Sequence, residues 1–164
     1  MDLIGDGAGE KTLESLVADS LAALPWIPER GRLLDVGSGN GIPAIPLLLA
    51  RPALRGVLLE PRERRWAFLR ETVRELGCLA EVRRERLAVH AGQGYDIVTV
   101  RGLSMEMWWV DACARLGSGG HAVWWTSGGR TESIAEGAEC VGVIRCRGLS
   151  AGGGVAVLLR PCST

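Results

Sequence analysis

The stretch LLDVGSGNGIPAIPLLLA, residues 33–50, decides the fold of this chain. It begins with a short apolar run that predicts a buried strand and ends in an apolar segment that predicts a helix. Between them lie three alternating glycines, Gly37, Gly39 and Gly41. A glycine-rich turn between a strand and a helix brings backbone N–H groups close to any ligand at the carboxyl edge of a sheet. The stretch therefore predicts a ligand-binding turn.

Strand-like and helix-like segments alternate along the rest of the chain. Apolar residues at three- and four-residue steps predict helices over 11–24, 62–76 and 105–116, with a further helical segment at 131–138. The apolar stripe of the helix over 62–76 is expected to consist of Trp66, Leu69, Val73 and Leu76. Apolar runs predict strands at 32–36, 54–60, 80–87, 95–100, 121–126, 140–146 and 155–160. This alternation indicates an α/β fold with a mostly parallel seven-stranded sheet and helices on both faces. The loop 147–154 is too short for a crossover helix, so the last strand is expected to run antiparallel.

The composition is that of one globular domain. The 164 residues are 47% hydrophobic and 23% charged with a formal net charge of +0, which excludes a free-standing protein that coats nucleic acid by charge alone. We expect a single domain over 1–164, with an N-terminal helical part at 10–28 and a core at 29–164. Lys11 is the only lysine among 19 basic residues, and many arginines lie between positions 51 and 86. These arginines are either a solvated surface or a surface that faces phosphate.

The cysteines and histidines predict no metal site. The five cysteines form no C-x-x-C pair, and the two histidines, His90 and His121, are far apart in sequence. The chain also shows neither a secretory leader nor an apolar run long enough to span a bilayer. We therefore expect a cytoplasmic protein with reduced cysteines, no membrane contact and a monomeric state.

The spacing of the glycines discriminates between possible ligands. The dinucleotide fingerprint G-x-G-x-x-G requires a glycine at the position of Ile42, and no G-K-[ST] is present for a P-loop. The pattern D-x-G-x-G-x-G from Asp35 to Gly41 instead resembles the first motif of class I S-adenosylmethionine-dependent methyltransferases, which have a Rossmann-like fold. That resemblance implies a cofactor site that includes Asp35, Gly37, Ser38, Gly39 and Gly41. A turn that binds no ligand remains the alternative.

An acidic residue at the end of the next strand supports a nucleoside-type ligand. Glu60 closes the segment VLLE about 20 residues beyond the glycines, where a ribose-diol acceptor lies in this topology. A carboxylate suits that task because it accepts two hydroxyl hydrogen bonds and donates none. A solvated strand end is the alternative for Glu60 alone.

Four segments, TLESLVADSLAALP, LLDVGSGNGIPAIPL, LLEPRERRWAFLRETVRELG and YDIVTVRGL, narrow the resemblance. Together they are similar to the RsmG (GidB) family, bacterial enzymes that methylate guanine N7 in 16S ribosomal RNA, over roughly residues 10–127. The resemblance implies S-adenosylmethionine as cofactor and the RNA of the small ribosomal subunit as partner. It implies that Gly37 and Ile42 line the cofactor site, that Leu87 and Ala88 lie beside the adenine, and that Arg101 faces the cofactor and the incoming base.

The sequence departs from the family pattern at several positions. Leu16 stands where the family commonly has a histidine, Val100 where it has a serine, and Thr126 where it has a lysine, while Leu87 and Ala88 lack the family's acid. The family's upstream Asn-Leu-Thr segment and basic C-terminal tail have no counterpart in this sequence. Several of these groups are expected to contact RNA, so the resemblance supports the cofactor more strongly than the substrate.

The expected chemistry needs alignment more than a general base. Guanine N7 carries an in-plane lone pair and attacks a sulfonium methyl group without first losing a proton. Arg101 is the predicted catalytic residue, with guanine O6, phosphate or the cofactor carboxylate as its partner; an ion pair with Asp96 or Asp19 is the alternative. One tryptophan of each pair, 108–109 and 124–125, could stack on a base.

Three further functions remain open besides ribosomal RNA methylation. The same fold could methylate another RNA or a small molecule. It could also be a non-catalytic domain that binds S-adenosylmethionine. A nicotinamide oxidoreductase is the weakest alternative because Ile42 occupies the third glycine position.

Overall fold

A computed structural model describes residues 9–127, 134, 136–146 and 154–162. The four helices are α1 (Gly9–Leu21), α2 (Ala44–Ala50), α3 (Glu63–Glu75) and α4 (Trp109–Cys113). The seven strands are β1 (Arg30–Val36), β2 (Ala53–Leu59), β3 (Ala80–Arg83), β4 (Tyr95–Arg101), β5 (Leu116–Ser127), β6 (Ala138–Cys146) and β7 (Gly154–Pro161). Short 3-10 turns lie at Leu24–Trp26, Leu87–Val89 and Met105–Met107.

The strands form one sheet in the order β3-β2-β1-β4-β5-β7-β6. β1 pairs in parallel with β2 and β4, β3 extends this parallel arrangement beyond β2, and β5 extends it beyond β4. β7 runs antiparallel to both of its neighbours, β5 and β6. The predicted mostly parallel, seven-stranded sheet with an antiparallel last strand is therefore confirmed. The strand order reverses between β1 and β4, which opens a crevice at the carboxyl ends of these two strands.

Two apolar layers cover the sheet. On one face, Leu33 and Trp125 pack with residues of α2 and α3. On the other, Leu34 and Trp124 pack with α4 and the turn before it. Because successive side chains of a strand point to opposite faces, adjacent apolar residues fill both layers. The predicted coverage of both faces by helices is confirmed.

The region between β4 and β5 differs from the predicted helix over 105–116. A 3-10 turn and the five-residue α4 replace that helix, and Leu116 already belongs to β5. The glycine-rich stretch GSGG, residues 117–120, was predicted to follow the helix and lies within β5. A Cβ on Gly120 would lie 2.7 Å from the carbonyl oxygen of Tyr95, so the missing side chain lets β5 approach β4 closely.

Other predictions differ in extent. α3 agrees with the predicted helix over 62–76, but Leu76, expected in its apolar stripe, is 48% exposed. The strand predicted over 80–87 ends at Arg83. Residues 131–133 and 135 of the helical segment predicted over 131–138 lie outside the described residues. Residues 147–153 of the loop predicted over 147–154 also lie outside them. None of the helices in the described ranges is long and apolar enough to cross a membrane.

Candidate cofactor and substrate site

The glycine turn follows β1 and is anchored to β2. Gly37, Gly39 and Gly41 all have positive φ values, of 69°, 55° and 89°. The Ser38 N–H donates to the carbonyl of Leu59 over 2.9 Å, and the Gly41 N–H donates to the carbonyl of Ser38 over 2.7 Å. A Cβ on Gly41 would lie 2.4 Å from Cδ1 of Ile45, so this glycine also lets α2 pack against the turn. Contacts with β2 and α2 thus fix the conformation of the turn on one side, and its other side faces a cavity.

A polar cavity of about 260 Å³ lies beside this turn. Its lining residues come from the turn, from the start of α3 and from the end of β4: Gly37, Ser38, Gly39, Asn40, Ile42, Arg65 and Arg101. Five of them were predicted site residues. Asn40 and Arg65 were not, although Asn40 lies between the predicted positions Gly39 and Gly41. Arg65 carried no comparable signal, because it belongs to a run of charged residues on an exposed helix face.

Arg101 is the charged group of the cavity that is most withdrawn from solvent. It ends β4, and its side chain is 14% exposed. Its Nη2 lies 3.8 Å from Oδ2 of Asp19, and neither Nη1 nor Nη2 has a hydrogen-bond partner among the described residues. Burial lowers the pKa of Arg101, and the Asp19 carboxylate opposes that shift. The predicted alternative partner Asp96 instead accepts a hydrogen bond from the backbone of Arg32.

Asp35 supports the turn from within the core. It is 1% exposed, and its Oδ1 accepts a 2.6 Å hydrogen bond from the hydroxyl of Thr99. Burial raises the pKa of Asp35 to about 6, against the effect of its hydrogen-bond donors. The Ser38 hydroxyl donates to the Asp35 carbonyl over 3.2 Å. Asp35 does not line the cavity, so its cofactor role remains a prediction.

Glu60 joins the turn to the start of α3. Its carboxylate is buried; Oε2 accepts the Gly39 N–H over 3.0 Å and Oε1 accepts the Arg62 N–H over 2.8 Å. Each oxygen retains a lone pair for a further donor. Sequence reasoning placed Glu60 at the correct strand end and missed that it also fixes the turn.

Leu87 and Ala88 lie in the 3-10 turn after β3 and do not line the cavity. Leu87 is buried in the same apolar cluster as Val36 and Leu59, which lie at the ends of β1 and β2. Ala88 is exposed, and its carbonyl accepts a 3.4 Å hydrogen bond from Arg115. Their proposed place beside an adenine remains a prediction.

The tryptophan pairs offer no ring face to a base. Trp108, Trp109, Trp124 and Trp125 are between 1% and 2% exposed. The expectation that one member of each pair could stack on a base is therefore wrong, because the apolar clusters on the two faces of the sheet enclose all four rings. Trp125 has a structural task instead: its Nε1 donates to the carbonyl of Asp19 over 3.0 Å and fastens α1 to the sheet.

A family model described as rRNA small subunit methyltransferase G, or GidB, matches residues 1–139. The chain belongs to this family. The predicted resemblance to RsmG is thereby confirmed.

Three curated relatives carry the name ribosomal RNA small subunit methyltransferase G. The protein of Desulfotalea psychrophila is 48% identical over 77 residues, which are 46% of this chain and 36% of that protein. The protein of Acidothermus cellulolyticus is 48% identical over 75 residues, 46% of this chain and 34% of the relative. The protein of Legionella pneumophila is 38% identical over 102 residues, 57% of this chain and 48% of the relative. The matched region thus spans less than half the length of these relatives.

Solved structures with the same fold include an N-methyltransferase. The N-methyltransferase NodS of Bradyrhizobium japonicum superposes with a TM-score of 0.71 at 13% identity, over 95% of this chain and 99% of NodS. TYW2 of Pyrococcus horikoshii, in complex with MeSAdo, has a TM-score of 0.71 at 12% identity, over 89% of this chain and 62% of TYW2. At these identities the likeness shows the fold: a Rossmann-like class I methyltransferase fold, as predicted.

Proposed function

We propose that this chain transfers a methyl group from S-adenosylmethionine to RNA of the small ribosomal subunit, with guanine N7 as the acceptor. The observation that carries the proposal is the polar cavity in which unpaired guanidinium nitrogens of Arg101 lie beside Gly37 and Gly39, in a chain of this family. The matched region spans only part of the curated relatives, so the activity and the substrate that the family implies are proposals for this chain, supported by the residues that follow.

The cavity suits the amino-acid end of the cofactor. Its volume of about 260 Å³ is below the roughly 300–1,000 Å³ of pockets that enclose a whole drug-sized ligand, so it would hold one end of the molecule. The two nitrogens of Arg101 need acceptors, which an α-carboxylate supplies as a charge-assisted pair. Gly37 and Gly39 leave the backbone open to close approach. A buried unpaired guanidinium is costly, and this ligand would remove that cost.

The remaining predicted residues fit the nucleoside end. Glu60 has lone pairs left for ribose hydroxyls beyond its two backbone donors. Leu87 would offer an apolar surface and the backbone of Ala88 a polar edge to the adenine. Asp35 and Ser38 would contribute indirectly, because their hydrogen bonds hold the glycine turn in its conformation.

The proposed reaction requires the protein to position the two substrates and to bind their charged groups. S-adenosylmethionine supplies an electrophilic methyl group on a positively charged sulfur. Guanine N7 attacks through its own lone pair, so no side chain has to remove a proton. Arg101 would bind the carboxylate, O6 or a phosphate, and leave N7 without a donor. Absence of a histidine from the cavity lining fits this reaction.

Exposed arginines that follow β2 and β3 at the carboxyl edge of the sheet, of which Arg65 lines the cavity, support an RNA substrate over a small molecule. Arg62, Arg64 and Arg65, at the start of α3, and Arg86, after β3, are exposed and form no ion pair with the described residues. Arg84 and Arg83, in contrast, pair with acidic neighbours. Unpaired guanidinium groups near the crevice are suited to phosphate contacts.

The test is methyl transfer to ribosomal RNA. The protein would be incubated with methyl-labelled S-adenosylmethionine and small ribosomal subunits from a strain that lacks the family enzyme, with large subunits as the control RNA. We expect label in small-subunit RNA, recovered as N7-methylguanosine after digestion. If no RNA is labelled although the cofactor binds, the ribosomal assignment is wrong, and methylation of another substrate or a non-catalytic binding domain remains.

A further inference from the structure

Asp19 and Arg101 form a buried, incomplete ion pair. Asp19 lies in the last turns of α1 and is 4% exposed. Its Oδ2 is 3.8 Å from Nη2 of Arg101, which is too long for a hydrogen bond. Oδ2 has no hydrogen-bond partner among the described residues, and the same holds for both Nη atoms. The two side chains therefore attract each other while Oδ2 of Asp19 and both Nη atoms of Arg101 remain without a hydrogen bond.

The position of Asp19 is set by contacts outside the cavity. Trp125 of β5 donates from Nε1 to the Asp19 carbonyl over 3.0 Å. The hydroxyl of the next residue, Ser20, donates to the Leu16 carbonyl over 2.7 Å and closes the same helical turn. Arg101 lines the cavity and Asp19 does not. The carboxylate thus approaches the guanidinium from the α1 side, away from the cavity walls.

We propose that Asp19 is a positioning residue for the cofactor site: it holds the Arg101 guanidinium in place while leaving its Nη donors free for an incoming carboxylate. The inference rests on the proposed function, because it takes that carboxylate to be the α-carboxylate of S-adenosylmethionine. A buried guanidinium without a counter-charge is unfavourable, and Asp19 offsets this cost before any ligand binds. The 3.8 Å separation leaves both nitrogens available for a bidentate contact.

The experiment compares two ligands that differ only at the amino-acid end of the cofactor. Dissociation constants are measured for S-adenosylmethionine and for methylthioadenosine, which keeps the adenosine and the sulfur and lacks the amino acid. The variants are Asp19→Asn, Arg101→Gln, the double variant and Asp19→Glu. Ser20→Ala is the matched control, because Ser20 is the buried neighbour of Asp19 and carries no charge.

We expect Asp19→Asn to weaken S-adenosylmethionine binding about tenfold, which is a loss of about 1.4 kcal/mol, and to leave methylthioadenosine binding within about twofold. Arg101→Gln is expected to show the same selectivity with a larger loss, since it removes the donors themselves. The double variant is expected to be no worse than Arg101→Gln, because Asp19 acts through Arg101. Asp19→Glu, which keeps the charge, is expected to retain most of the affinity.

Two results would overturn the inference alone. One is unchanged S-adenosylmethionine affinity in Asp19→Asn; the other is an equal loss for both ligands, which would show that Asp19 only supports the fold. An Asp19→Glu variant as weak as Asp19→Asn would count in the same direction. If the unmodified protein binds neither ligand, the proposed function itself fails, and the inference fails with it.

Discussion

Gly41 and Gly77 share a left-handed backbone conformation and differ in their surroundings. Their φ values are 89° and 64°; a Cβ on Gly41 would meet Ile45 and Leu69 at 2.4 and 3.1 Å, whereas one on Gly77 would meet nothing within 4 Å. We expect Gly41→Ala to lower the free energy of unfolding by about 2–4 kcal/mol, from backbone strain plus overpacking. Gly77→Ala is the control and should cost about 1–2 kcal/mol, since only backbone strain remains. Urea denaturation measures both, and equal losses would contradict the packing role of Gly41.

Asp35 makes the stability of the fold depend on pH. Its pKa rises from the ordinary 3.8 to about 6 in the folded state, so between these values the folded protein binds more protons than the unfolded chain. Its contribution to stability is therefore fully present below pH 3.8 and is lost as the pH rises through 6. The loss is about 3 kcal/mol, at about 1.4 kcal/mol for each unit of pKa.

The variant Asp35→Asn isolates this effect because it cannot titrate. Its free energy of unfolding, relative to the unmodified protein, should rise by up to about 3 kcal/mol between pH 4 and pH 7. Denaturant titrations of both proteins across that range measure the difference, in which contributions of other groups cancel. A difference that is constant with pH would show that Asp35 titrates normally.

Single residues also show which parts of the site can be predicted from the sequence. Gly37 and Gly39 were predicted from a local turn pattern, and the resemblance to the RsmG family implied that Arg101 belongs to the same site; the structure brings all three to one cavity. Arg65 was missed because its place in the cavity depends on how α3 docks on the sheet. The hydrogen bond between the Gly39 N–H and Glu60 was missed because it joins groups 21 residues apart, and only the tertiary fold brings them together.

At the scale of elements, α3 shows what periodicity predicts and what it does not. The helix itself and its buried residues Leu69 and Val73 were predicted, whereas Leu76, in the same stripe, lies just beyond the helix and is 48% exposed. Periodicity identifies the face of a helix that packs against the sheet. It does not show how far along the helix that contact extends.

The two leucines give a paired prediction. Leu69→Ala should lower the free energy of unfolding by about 2–5 kcal/mol, because its side chain is fully buried between α2, α3 and the sheet. Leu76→Ala removes the same atoms from a half-exposed position and should cost about 0.5 kcal/mol or less. Urea denaturation at one pH provides both values. Similar losses would mean that Leu76 packs more tightly than its exposure indicates.

In the segment before β5, the helix predicted from the apolar spacing does not form over its full length. Residues 105–116 have the apolar spacing of a helix, yet the chain forms only a 3-10 turn and the short α4 there. Trp108 and Trp109 are both buried, and Trp108 breaks the helix with φ and ψ of −141° and −21°. Packing of two adjacent large rings into one apolar cluster outweighs local helical preference.

At the scale of the whole molecule, the order of the strands assembles the site. β1 and β4 are neighbours at the point where the strand order reverses, so the turn after β1 and Arg101 at the end of β4 face the same crevice. The mostly parallel sheet and its antiparallel last strand were predicted from the alternation of elements and the short last connection, whereas the strand order was not. The placement of α1, which brings Asp19 to Arg101, depends on long-range contacts such as that of Trp125. Asp19 was predicted only as one of two alternative ion-pair partners of Arg101, because no local pattern indicates where α1 packs.

The most direct test of the account is a calorimetric titration of the protein with S-adenosylmethionine. We expect saturable binding to one site per chain. Gly39→Ala should weaken that binding, because the added methyl group enters a wall of the cavity. Its nearest neighbours would lie 3.8 and 3.9 Å away, so the cost to the fold is the backbone strain of a side chain at a φ of 55° and no steric overlap. Absence of any binding heat with the unmodified protein at millimolar cofactor would contradict the central claim that this glycine turn holds S-adenosylmethionine.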